Sequence, residues 1–296
     1  MPSMYAHFVF GKNVYQKLPS DIKKIIKEHR ELFFIGLHGP DIFFYYKPLG
    51  KNPVKRLGSH MHDMPGRDFF EPAARAIGRF LDDKGDFLPD RKHVGEDILA
   101  YALGFLCHFS LDTTCHGYIE NKIRLSGVSH TEIEAELERS LLERDGFNPV
   151  HHRLTGHIVP SLYNGMVMEP FFPELEAGQI KESLESLVRY NDLLMAPHVW
   201  KRWLIYGVMA ISGNYKELHG LVIRKKPNPK CKDSCLRLEK LMDKAIGLCV
   251  ELTENYLEVL KHNAEMDKRF NQTFGPGPDW KSIPVYSWEE ELKYEV

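Results

Sequence analysis

One stretch constrains this chain more than any other. Residues 107–134 read CHFSLDTTCHGYIENKIRLSGVSHTEIE, with His108, Asp112 and His116 four apart and His130 and Glu134 following at the same spacing. In an α-helix, positions four apart are neighbours on one face, so the first three residues form a ridge and the last two a second ridge. Imidazole nitrogen and carboxylate oxygen are the donors that a borderline cation such as Zn²⁺ takes. Two ridges offer more donors than one tetrahedral ion uses, and a cluster of two or three metals fits the surplus. Each pair on its own is also an ordinary i,i+4 contact of a solvated helix. The setting of Asp112 shifts the balance: it lies inside the apolar run AYALGFLCHFSLDTTCHGYI, where burying an unpaired carboxylate would be costly.

The rest of the composition sets outer bounds. With 296 residues, 43% of them hydrophobic, the chain can bury a large core, and we expect a single helical domain over residues 1–296. Thirty-nine Lys and Arg against 41 Asp and Glu leave no basic footprint, so no stable nucleic-acid partner is expected. The amino-terminal MPSMYAHFVFGKNV lacks the basic and apolar regions of a signal peptide, which makes cytoplasmic residence the expectation. The longest apolar stretches meet His and Asp short of the roughly 20 residues a membrane span needs. Five scattered cysteines are a poor disulfide framework and agree with a reducing compartment. Cys231 and Cys235 read as free thiols near a helix start, and Cys107 and Cys115 as packing behind the ridges.

The pattern along the chain is all-α, a multi-helix bundle. Ser20 reads as the N-cap of an amphipathic helix running to the Gly-Pro turn at 36–40. Residues 47–66, rich in Gly, Pro and Lys without a period, read as a loop carrying His60 and His62. Helices are expected over about 69–82 and 95–119, from about 129 with Ser129 as cap and Glu132 three residues on, and over 179–195, 197–211 and 234–264. No strand series is visible. A tail from 274, through GPGPDW, reads as extended chain laid over the body or partly mobile.

Other residues belong to the candidate constellation. His7 precedes a short aromatic stretch. Asp41 follows Gly-Pro in FIGLHGPDIFFYY, and LGSHMHDMPGRDFF adds His60, His62 and Asp63 within four positions. His38 sits close enough in sequence to face metals without binding them. His151, His152 and His157 lie in a loop-like segment that reads as solvated surface or rim. Phe43, Phe44, Tyr45 and Tyr46 read mainly as core, with a role in lining an apolar approach to the site as the alternative.

Taken in order, an early His, G-x-x-GPD-x-x-x-Y at 36–45, LG-x-x-x-H-x-x-x-G-x-x-FF at 57–70, LG-x-L-x-H-x-x-x-D-x-x-x-H at 103–116, and H-x-x-x-E at 130–134 resemble the zinc-dependent phospholipase C family. That family shares a helical fold and a trinuclear zinc site with the P1/S1 nucleases. The resemblance covers about residues 1–200, leaving a helical extension and an irregular tail from about 265. It implies one zinc held by Asp41, His62 and His108 with Asp112 bridging, a second held by His116, His130 and Glu134, and a third involving His7 and Asp112. His62 rather than His60 takes the family position, with His60 in the outer shell. Secreted members complete the third site with the amino group and carbonyl of the amino-terminal residue, and here the pattern departs.

The chemistry implied is phosphodiester hydrolysis. Zinc lowers the pKa of water to about 7 and neutralises phosphate oxygens, while Asp41 would orient or deprotonate the attacking water. The expected substrate is a phospholipid or another small phosphodiester. A nuclease or nucleotidase on the same scaffold, and a non-catalytic zinc-binding protein, are the alternatives.

Overall fold

The computed structural model describes residues 3–296 apart from Leu49 and Asn214, and apart from the side chains of Lys216 and Glu217. Among the described residues the chain is all helix and loop, with only isolated bridges pairing Pro65 with Thr273 and Leu81 with Phe87. Helices α1 (Met4–Lys17), α2 (Ser20–Glu28) and α3 (Arg30–Gly36) lead into a 3₁₀ turn, Gly39–Tyr45. Then come α4 (Pro53–Asp63), α5 (Gly66–Gly78), α6 (Lys92–Ser126), α7 (His130–Arg144), α8 (Leu162–Met168) and α9 (Ala177–Leu194). The chain ends with α10 (Val199–Ile211), α11 (Tyr215–Leu218), α12 (Lys232–His262) and α13 (Trp288–Glu291).

The axle is α6. From Gly95 to Asp112 every residue is buried, because α1, α3, α5 and α12 pack around it. A helix apolar on all sides must be enclosed by protein or by lipid. By length and composition α6 is able to cross a membrane, yet 89% of its apolar stretch is covered by the protein itself. It is a core helix. Beneath the ridges lies an aromatic cluster in which Phe69 stacks on Phe105 at 3.8 Å and Phe109 on Phe270 at 5.8 Å.

Three sequence expectations are corrected. Pro19 is the N-cap of α2 and Ser20 its first residue, and the expected continuous helix breaks at His29. There the backbone leaves helical geometry while Nδ1 of His29 sits 2.8 Å from Asp97 and Nε2 sits 3.3 Å from Glu96; these partners are remote in sequence. Residues 53–63 form α4, not loop. The Asn52 side chain accepts from the Lys55 amide and Pro53 stands at the first position, where a missing N–H costs nothing. Residues that read as breakers therefore start a helix.

Ser129 does cap α7, accepting from the Glu132 amide. The later helices form within a few residues of their expected bounds. Helix α12 lies along α6, with the Cys249 and Cys107 sulfurs 3.7 Å apart as thiols. The tail is laid over the body: Asn121 donates to the Ile283 carbonyl at 2.7 Å and Arg237 pairs with buried Glu291 at 2.8 Å.

Candidate metal centre

Five elements bring the ridge residues and their partners together. Helix α1 supplies His7, the 3₁₀ turn Asp41, α4 His62, α6 His108, Asp112 and His116, and α7 His130 and Glu134. Their donor atoms gather into three groups, each within 4.8 Å: Asp41, His62 and His108; His7, His108 and Asp112; and His116, His130 and Glu134. His108 belongs to two groups. Asp112 joins all three, its Oδ1 lying 3.4 Å from His7 Nε2 and its Oδ2 lying 3.1 Å from His108 Nε2 and 3.5 Å from His116 Nδ1.

These separations carry chemical information. Two donors bound to one tetrahedral zinc at 2.0–2.1 Å lie about 3.3 Å apart. His62 Nε2 is 3.1 Å from Asp41 Oδ1 and His130 Nε2 is 3.1 Å from Glu134 Oε1, close to that edge length. Asp41 Oδ1, His108 Nε2, Asp112 Oδ2 and His130 Nε2 are buried without a properly aligned hydrogen bond, although each has a polar neighbour in reach. Buried polar atoms are ordinarily satisfied. Atoms that converge without bonding one another are arranged as a cation would have them.

The outer contacts agree. A metal-binding imidazole usually donates its other N–H, which fixes the tautomer and aims the remaining lone pair. His62 Nδ1 donates to the Gly58 carbonyl at 2.7 Å, His108 Nδ1 to Leu37 at 3.3 Å and His116 Nδ1 to Phe274 at 2.7 Å. Each ring thus has Nε2 free to act as a ligand. His130 Nδ1 lies 3.5 Å from Glu120. Gly39 allows the close approach at the 3₁₀ turn: its φ is +45°, and a Cβ there would lie 2.3 Å from the His108 ring.

Charge points the same way. Burial pushes the Asp112 carboxyl up, but His108 and His116 outweigh it and hold the group well below the usual range. Asp41 is likewise raised by burial and pulled further down by His62 and His108. Burial disfavours charged His130, yet Glu134 and Glu120 bring it up to about 9. Buried carboxylates that stay ionised need compensating cations, and divalent ions would supply them in place of protons.

The structure brings every sequence-predicted site residue into this cluster. His60 is exposed on α4, facing away from the site. His38 is fully buried beside His7, with ring centroids 6.4 Å apart. His157, read from sequence mainly as surface, contacts His38 with their Nε2 atoms 2.7 Å apart, and burial lowers His157 to about 4. Phe43, Tyr45 and Tyr46 are core, while Phe44 lies 5.4 Å from the His62 ring. Glu138 was not foreseen: it accepts from the Tyr5 amide at 2.5 Å, and burial pushes it up to about 8. That bond ties α1, and with it His7, to α7.

Sequence reasoning also missed the closure by the tail. Phe274 accepts from His116, packs against His62 and His108 at 6.2 and 6.0 Å, and is followed by Gly275, whose amide donates to the His62 carbonyl at 3.0 Å. No periodicity marks a segment that bonds through its backbone.

A family model for zinc-dependent phospholipase C matches residues 6–184. The chain belongs to the zinc-dependent phospholipase C family. The match begins within α1, takes in the three groups of donors and all of α2 to α8, and stops within α9. Phe274 and Gly275, which close over the donor cluster, therefore lie outside the matched span. No curated protein and no solved structure matches the chain.

Proposed function

We propose that this protein is a zinc-dependent phosphodiester hydrolase of phospholipase C type, with a phospholipid as its substrate. The observation that carries the reading is the convergence of three donor groups, two of which share His108, with Asp112 within 3.5 Å of a member of each. In this reading Asp41, His62 and His108 would hold one zinc, His116, His130 and Glu134 a second, and His7 with Asp112 a third. Bound there, zinc would lower the pKa of water to about 7 and neutralise charge on the phosphate.

The protein's own groups do the rest. The backbone carbonyls of Gly58, Leu37 and Phe274 hold His62, His108 and His116 in one tautomer and orientation. Asp41, ionised at neutral pH, orients the attacking water and takes its proton. Burial of Asp112 and His108 keeps bulk water from screening the charges that act on the phosphate.

Turnover of phosphatidylcholine and of a chromogenic soluble phosphodiester should fall about 10³-fold or more on chelation and return with added zinc. Turnover that survives chelation would overturn the metal chemistry. Cleavage of single-stranded nucleic acid by the zinc-loaded protein, with lipid untouched, would overturn the substrate.

A further inference from the structure

Helix α10 turns an apolar face to solvent. Val199, Trp200, Trp203, Leu204, Val208 and Ile211 recur at helical spacing, and each is more than half exposed, Trp203 at 72% and Ile211 at 91%. The opposite side packs Ile205, Tyr206 and Met209 against Ala196, Leu218 and Val222 in a small cluster separate from the main core. Both faces of α10 are therefore apolar, and only one is covered. Large apolar side chains gathered on one exposed face mark a binding surface.

The surroundings of this face say what covers it. Residues 198–232 contain eight Lys and Arg and one Glu, in a chain whose net charge is −2. Lys225, Lys226 and Lys230 are exposed, on the strand of chain that leaves Val222 and passes α10, where Arg202 donates to the Ile223 carbonyl at 2.9 Å. Exposed Trp on one face of a helix with a basic flank is the composition that seats in the headgroup layer of an anionic bilayer. A second copy of the chain suits it less well, since a two-fold contact sets the same patch against itself and brings the cations face to face.

Position strengthens the case. The segment following α10 is fastened to the first turn of α7. A Cβ on Gly220 would lie 2.4 Å from Thr131 Oγ1, and Arg224 and Asn228 both reach Glu132 Oε1 at 2.9 Å. Thr131 and Glu132 directly follow His130. The apolar face and the metal cluster are thus joined through one helix turn.

We propose that α10 is an interfacial helix that docks the protein on an anionic phospholipid bilayer, with Trp200 and Trp203 in the headgroup layer and Lys225 and Lys226 against the lipid charge. The proposal extends the phospholipase reading to how the lipid surface is met, and its readout does not depend on turnover. Zinc-loaded full-length protein is sedimented with unilamellar vesicles of phosphatidylcholine, with or without about 30 mol % phosphatidylserine. The wild type should partition onto the anionic vesicles with a blue shift of tryptophan emission, and salt should weaken it. Trp200→Ala with Trp203→Ala should lower partition at least about tenfold, and Lys225→Glu with Lys226→Glu should remove the preference for anionic lipid. All four side chains are exposed, so both variants should melt as the wild type does.

Wild type left in the supernatant, or a tryptophan variant that partitions equally, would overturn the docking role. A tryptophan-dependent dimer in sedimentation velocity without vesicle binding would assign the face to a second copy instead. Intact partition with no lipid turnover would sink the catalytic reading and leave the docking role standing.

Discussion

Asp112→Asn is expected to lower bound zinc by about one equivalent or more and to cut phosphodiester turnover by about 10²–10³-fold or more. Both oxygens of Asp112 are engaged, Oδ1 with His7 and Oδ2 with His108 and His116. Asparagine keeps the volume but removes the charge and one acceptor, so the donor groups lose the carboxylate that reaches a member of each. His108 would also lose the carboxylate that holds it above the usual imidazole range against the effect of burial. Elemental analysis and turnover of the soluble phosphodiester measure the two effects. His60→Ala, at an exposed position on α4, should leave both at wild-type values. Equal losses in the two variants would remove the special role given to Asp112.

Gly104→Ala should destabilise the fold by about 3 kcal/mol or more, read as a lower melting temperature and urea midpoint with unchanged slope. Helices α3 and α6 cross at Gly36 and Gly104. A Cβ on Gly104 would lie 2.1 Å from the Phe33 carbonyl oxygen, and one on Gly36 would lie 2.3 Å from the Tyr101 carbonyl oxygen. The obstacles are backbone atoms, which cannot swing aside as a side chain can. A Gly→Ala change inside a helix otherwise gains up to about 1 kcal/mol. Gly207→Ala on α10, where nothing lies within 4 Å, should show that gain. A Gly104→Ala variant as stable as wild type would mean the two helices do not cross so closely. The same contact explains the glycines in the 36–45 and 103–116 motifs: they set the distance at which α3 delivers Asp41 to the His108 ridge.

How much of this was legible in the sequence depended on whether the signal was local. The ridge spacing of His108, Asp112 and His116 survives any tertiary arrangement, because a helix fixes it, and the burial of Asp112 followed from its apolar neighbours. Asp41, His62 and His7 could be joined to the ridge only through the family resemblance, since nothing in composition says that four separate elements meet. The loop assignment at 47–66 went wrong for a physical reason. Pro53 and Gly58 are breakers by propensity, yet Pro53 opens α4 and Gly58 faces the 3₁₀ turn, 3.1 Å from Phe43 Cβ as a Cβ would see it.

The break at His29 was hidden for the opposite reason. The amphipathic pattern runs straight through it, and its partners Asp97 and Glu96 are far away in sequence. Closure of the site by Phe274 and Gly275 was invisible because its hydrogen bonds are made by backbone atoms. His157 looked like surface because its partner, His38, is distant in the chain.

The measurement that bears most directly on the central claim is the zinc content of the full-length protein, purified without a histidine tag and analysed for elements after zinc-replete expression. The two groups that share His108, and the separate group of His116, His130 and Glu134, predict about two to three zinc ions per chain. Less than about one equivalent would contradict the account, because the buried carboxylates would then be balanced by protons on the histidines.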